Sequence, residues 1–252
     1  MLTEKVVLIT GAAGRIGSAL AKAVVQNHGQ VVLLDTAQEP LQRLASALPI
    51  DSVLPIVANA AVAAEVDASI NRAAQTFGRL DAAVHCAYPR SEGWGTRFED
   101  LKAEFLAEDL CTQLGGAILF SQQVIKRFAR QGHGTLIHVS SIQGIAAPKF
   151  EHYEGTSMVS PIEYSAIKAG IIAVSRYLAK YCSNTGIRVN CVSPGGIYSN
   201  QPISFIKNYR QSCNQKGLLD SEDVTGAILF LLSDQARYVN GQNIVVDDGW
   251  SL

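Results

Sequence analysis

Residues 5–17 read Lys5-Val6-Val7-Leu8-Ile9-Thr10-Gly11-Ala12-Ala13-Gly14-Arg15-Ile16-Gly17, and their order decides the fold. An apolar run rich in β-branched residues passes straight into glycines. Apolar residues then recur at intervals of three and four. That pattern is a buried strand, a tight turn and an amphipathic helix. The alternation continues to the far end of the chain. Strands are expected over 5–10, 30–35, 53–58, 80–87, 135–140, 188–193 and 243–246. Helices are expected over 16–27, 39–48, 62–77, 99–130 with a break near the Gly115-Gly116 pair, 162–182 and 221–233. Continuous apolar strands separated by helices predict an α/β fold, a doubly wound parallel sheet of about seven strands with helices on both faces. Two stretches, 146–161 and 198–217, lack any regular period. Such stretches inside compact domains are often functional, and these two are the expected substrate loops.

Composition narrows the function. The 252 residues suit one large α/β domain, and 48% apolar against 17% charged residues excludes disorder. Lysine and arginine total 21 against 22 acids. A protein that grips a phosphate backbone carries a basic excess, so no nucleic-acid partner is expected. No apolar run approaches the roughly 18 residues of a membrane span, and the stretch before Gly11 is no secretory core. Five scattered cysteines without a CxxC pair suggest reduced thiols in the cytoplasm rather than disulfides or a metal site.

The glycine turn has a chemical reading. Gly11 and Gly14 let backbone N–H groups approach a pyrophosphate, which then rests on the positive end of the helix opened by Arg15 and Ile16. Asp35 ends the next expected strand, 18 positions past Gly17. A carboxylate there accepts ribose hydroxyls and repels a 2′-phosphate, which predicts NAD over NADP. Arg15 is read as a pyrophosphate or surface contact.

A second constellation lies further on. Ser141 follows the strand at 135–140, and Tyr164 and Lys168 stand four apart on an expected helix, so they share a face. A nearby ammonium lowers a phenol's pKa and tunes it for acid–base work. Ser141 can hydrogen-bond an oxygen that changes between hydroxyl and carbonyl.

Together these pieces resemble the short-chain dehydrogenase/reductase family, in family order and over nearly the whole chain. The matching residues are the turn at 10–17, Ser141, Tyr164 with Lys168, Asn190-Cys191-Val192-Ser193-Pro194-Gly195 and Val246-Asp247-Asp248-Gly249. The resemblance implies a single-domain Rossmann fold over 1–252. It implies Tyr164 as acid/base, Lys168 as phenol partner and ribose ligand, and Ser141 as substrate-orienting group. It also implies cofactor contacts from Ala87, Pro194, Ile197 and Ser199, and a homotetramer.

Departures from the family pattern matter too. Tyr153 lies nearer the usual spacing from Ser141, but position 157 is Ser157, so Tyr164 takes the role across an inserted loop. After the fourth strand the chain reads His85-Cys86-Ala87-Tyr88 where the family has Asn-Asn-Ala-Gly. Tyr88 is then a substrate-pocket candidate, and His85 and His138 are read as structural. Gln113 falls where an asparagine usually completes a proton relay, and Asn59 where an aspartate holds the adenine amine. Lys207, Arg210 and Lys216 lie in the acid-free stretch 200–219, and Arg90 follows Tyr88-Pro89. Cations converging on a pocket suggest an anionic small molecule, such as a sugar phosphate or nucleotide sugar. The stretch 153–158 also resembles a branch associated with flagellin modification and nonulosonate sugars. The alternatives are a 3-ketoacyl thioester reductase and a non-catalytic dinucleotide sensor or scaffold. Assembly is expected from the helix at 221–233, apolar around most of its circumference, and from the last strand beside it, both of which a second copy would cover.

Overall fold

The computed structural model describes residues 1–252. Seven parallel strands form one sheet: β1 (Val6–Thr10), β2 (Gln30–Asp35), β3 (Val53–Val57), β4 (Ala82–His85), β5 (Gly134–Val139), β6 (Ile187–Pro194) and β7 (Asn243–Val246). Their order is β3-β2-β1-β4-β5-β6-β7. The helices are α1 (Arg15–Gln26), α2 (Gln38–Ser46), α3 (Ala63–Phe77), α4 (Ala103–Asp109), α5 (Gly116–Gln131), α6 (Ile162–Tyr181), α7 (Ile203–Gln211) and α8 (Ser221–Leu232). One apolar cluster joins α1, α2 and α8 to one face of the sheet, through Leu20, Val24, Leu41 and Ile228. The other joins α3, α5 and α6 to the opposite face, through Ile70, Phe120, Phe128 and Ala179. Each large side chain buried this way contributes roughly 1.5–3 kcal/mol. The expected doubly wound sheet is therefore observed.

Three sequence expectations need correction. The Gly115-Gly116 pair does not break a helix. Residues Leu110–Gly115 form a wide π turn that carries α4 into α5, and a Cβ on Gly116 would lie 3.0 Å from Ala61 Cβ. Gly116 serves a close approach, and extra width in a helix often marks a functional site. The stretch 198–217 is not irregular throughout, since α7 lies inside it and buries Phe205 and Tyr209, one turn apart. Helix α8 does not await a second copy. It packs on α1 as well as the sheet, and Val224, Ile228, Leu229, Leu231 and Leu232 are already buried.

Strand order reverses direction between β1 and β4. In open parallel sheets, ligands sit outside the carboxyl ends of the strands at that point.

Candidate active site

A cavity of ≈ 650 Å³ runs along those carboxyl ends. Its volume is in the range of small-molecule sites. At one end the chain turns at Gly11, which adopts a left-handed φ of 61°, and a Cβ on Gly17 would sit 2.2 Å from the Gly11 carbonyl oxygen. Only glycine permits that turn. Gly14 caps α1 without a side-chain hydrogen bond, so first-turn N–H groups of α1 are left to face the cavity. The Asp35 carboxylate accepts from Ala13 N–H at 2.9 Å and Ala37 N–H at 3.0 Å, which ties β2 to the turn. Arg15, Ile16, Asn59 and Ala87 line this end, and Asn59 Oδ1 accepts from Ala61 N–H at 2.9 Å. Bare helix-end donors beside a carboxylate fit a dinucleotide with free ribose hydroxyls.

Ser141, Tyr164 and Lys168 face the middle of the cavity. The neighbouring Ser141 hydroxyl favours the ionised form of the Tyr164 phenol. Burial outweighs it and raises the phenol above its ordinary pKa of 10. Lys168, the expected partner of the phenol, makes no direct hydrogen bond to it. Lys168 Nζ donates to the Val139 carbonyl at 3.2 Å and stands 5.5 Å from the centre of the Tyr164 ring. Burial lowers the lysine itself to about 8. The phenol is thus protonated at neutral pH, and the lysine has a partner of its own.

Tyr88 packs edge-on against Tyr164, with ring centres 5.6 Å apart, and against Trp94 at 5.4 Å. Trp94 in turn meets Tyr164 at 5.9 Å. This triangle of rings fixes the phenol's orientation, and Trp94 carried no signal in the sequence. Pro194 and Ile197 line the cavity as expected, whereas Ser199 does not. Gln201 takes that place, accepting from Ser199 N–H at 2.7 Å and donating to the Ile197 carbonyl at 2.8 Å.

Other expectations are corrected. Gln113 does not line the cavity, and both its amide atoms are buried without a partner. Its neighbour Thr112 lines the cavity instead. Lys207, Arg210 and Arg90 are exposed and also lie off the lining. Two of the three cations in the acid-free stretch find counter-charges outside it. Arg210 stands 4.0 Å from the Asp248 carboxylate, and Lys216 pairs with Asp220 and Asp223. Arg90 stacks 5.8 Å from the Tyr88 ring centre. The far wall of the cavity is aromatic: Tyr153, His152, Phe205, Tyr209 and Trp250. Tyr153 accepts from Gln143 Nε2 at 3.4 Å and packs on Phe205 at 5.1 Å. His138 is a satisfied core residue, bonded to Ser121 and Ser175.

Comparison with known proteins decides the family. A family profile described as enoyl-(acyl carrier protein) reductase matches residues 11–251. The chain belongs to the short-chain dehydrogenase/reductase family. It is 41% identical, over the full length of both chains, to post-translational flagellin modification protein A of Campylobacter coli. It is 31% identical to 7alpha-hydroxysteroid dehydrogenase of Bacteroides fragilis, over 99% of this chain and 95% of that one. A solved short chain dehydrogenase from Leptospira borgpetersenii with bound NAD+ superposes with a TM-score of 0.88 at 31% identity, covering 100% of this chain and 94% of the other. Levodione reductase superposes at 0.85 with 26% identity, covering 100% and 99%. As a member of this family the chain is an NAD(P)-dependent oxidoreductase acting on a small molecule. The sensor or scaffold alternative is set aside. No helix is long and apolar enough to cross a membrane.

Proposed function

We propose that this dehydrogenase interconverts a secondary alcohol and a ketone with NAD(H), on a sugar-type substrate such as a sugar phosphate or nucleotide sugar. The observation that carries the reaction is the convergence of Ser141, Tyr164 and Lys168 on the cavity that also holds the glycine turn. Bound nicotinamide supplies the hydride position; the protein supplies the proton and the alignment. Ser141 and Tyr164 hold the reacting oxygen between two hydroxyls. Tyr164 gives its proton to a ketone oxygen, or takes one from an alcohol after the positive Lys168 has favoured its ionised form. Asp35 accepts the adenosine ribose hydroxyls, which favours NAD over NADP. Asn59 faces the adenine, and Ala87, Pro194 and Ile197 border the nicotinamide.

The sugar reading is supported by the flagellin-modification relative. With Lys207, Arg210 and Arg90 off the lining, Arg15 and Lys168 are the lysine and arginine side chains left at the cavity. Recognition then falls on Tyr88, Gln143 and the aromatic wall. That wall, with the hydroxysteroid relative, supports a second reading: an apolar cyclic alcohol. Five free thiols are in keeping with work in the cytoplasm.

A screen following NADH absorbance over sugar phosphates, nucleotide sugars, hydroxysteroids and ketoacyl thioesters tests the substrate class. Turnover confined to the last two classes would overturn the sugar reading. Tyr164→Phe should lower kcat by about 10²–10⁴-fold and leave NADH affinity unchanged. Loss of activity in Tyr153→Phe but not in Tyr164→Phe would reverse the assignment.

We also propose a homotetramer. Helix α8 no longer argues for it, but Ile118 and Leu119 on α5 and Tyr177 and Tyr181 on α6 stay exposed, and β7 ends the sheet. Light scattering should give about four times the chain mass; a monomer would refute the assembly.

A further inference from the structure

His85 ends β4, is 4% exposed, lines the cavity and has no part in the reaction described above. Its Nδ1 stands 2.9 Å from Thr10 Oγ1. That oxygen already accepts the backbone N–H of Ala87 at 3.2 Å and that of Cys86, also at 3.2 Å, which it shares with the Thr10 carbonyl. With both lone pairs engaged, the threonine hydroxyl has only its proton left to offer, so Nδ1 is the acceptor. A neutral imidazole that accepts at Nδ1 carries its proton on Nε2. Burial keeps the ring neutral, far below its ordinary pKa of 6.5. The titratable groups bearing on it, His138 from β5 and Lys168 from α6, push the same way. The ring stacks on Phe120 at 4.9 Å and meets His138 edge-on at 6.2 Å, which sets its plane, while the Thr10 bond sets which nitrogen faces the turn. Its Nε2–H has no partner within the protein, and the residue lines the cavity.

Lys168 is the other donor on this floor. One of its three protons goes to the Val139 carbonyl, and two remain. Two donors that line one cavity and feel each other's charge are reconciled by a neutral acceptor with two lone pairs, and water is the molecule of that kind always at hand. We propose that His85 is a positioning residue, its Nε2–H and the Lys168 ammonium donating to one shared water. The water anchors the lysine and so sets how far its charge stands from the Tyr164 phenol. His85 takes up no proton at any stage.

This rests on Lys168 acting upon the phenol, but the first test does not. In cofactor-free protein labelled with ¹⁵N-histidine, the His85 shifts should report the neutral Nε2–H form throughout the range in which an ordinary imidazole titrates. Thr10→Val should release that tautomer. A proton on Nδ1, or titration near the ordinary value, would overturn the proposal. The second test is kinetic. His85→Phe keeps the stack on Phe120 and removes both nitrogens. It should lower kcat by about 10–100-fold and shift the kcat–pH profile, with NADH affinity within about twofold. His85→Gln, whose amide repeats the acceptor–donor pair, should restore most of the loss. Wild-type kcat and pH profile in folded His85→Phe would refute it, as would a glutamine no better than phenylalanine. So would a loss confined to NADH affinity, which would assign the donor to the cofactor. Failure of Tyr164→Phe to lose activity would instead strike the proposed reaction and leave the tautomer result standing.

Discussion

The nucleotide half of the cavity is built mostly from two strands and the helix between them, with Asn59 and Ala87 added from the next strand ends, whereas the substrate half is stitched from segments far apart in the chain. In the first, Gly11 to Gly17 form the turn, and Asp35 reaches back to Ala13 N–H. In the second, Lys149 Nζ donates to the Trp250 carbonyl at 2.9 Å and sits 4.8 Å from the centre of its ring. His152 bonds the Ser212 hydroxyl at 2.9 Å, and Asn208 donates to the Glu151 carbonyl. The Asp248 carboxylate gathers the N–H groups of Gln215, Lys216 and Gly217. The contrast is physical. A pyrophosphate needs backbone donors at one helix end, which a short motif can present. A substrate wall needs side-chain shape, which loops on a rigid sheet can vary without disturbing the core.

If the halves are built separately, they should fail separately. Trp250→Ala empties a ring that is 2% exposed, against which α7 and the inserted loop both pack. It should cost about 3–5 kcal/mol by chemical denaturation and raise the substrate KM, with NADH affinity nearly unchanged. A matching loss of NADH affinity would show the halves to be coupled. Asp35→Ala should do the opposite. NADH binding weakens about tenfold, or about 1.4 kcal/mol, and the preference over NADPH closes while KM holds. Calorimetric titration of both cofactors reads this directly, and an unchanged preference would move discrimination to Arg15. Ser212→Ala removes only the hydroxyl that meets His152. It should cost about 0.5–1.5 kcal/mol and loosen the inserted loop, seen as faster amide exchange over 146–161. Unchanged exchange there would mean that the aromatic packing alone holds the loop.

The same contrast explains what could be read in advance. The strand pattern at β1, β2 and β7 was legible to within a residue; at β1 and β2 burial on both faces leaves an unbroken apolar run. Helix α7 was not, because Phe205 and Tyr209 are apolar against the inserted loop and Trp250 rather than against the sheet. Trp94 and Trp250 were illegible for a similar reason, since a lone aromatic in a loop does not say which ring it will meet. The cations of 200–219 misled because their acids lie outside that stretch. Asp248 is 38 positions beyond Arg210.

Sequence by itself determined the strand–helix alternation, the glycine turn, the place of Asp35 at the end of β2, and the four-residue spacing of Tyr164 and Lys168 on one helix. Each depends on spacing along one element or across one turn, where covalent geometry sets the distance. Tertiary structure alone decided that Lys168 bonds the Val139 carbonyl, that α8 is covered by α1, and that Thr10 sets the tautomer of His85. Those outcomes turn on which atoms meet once distant segments pack and lose water, and no local spacing encodes them.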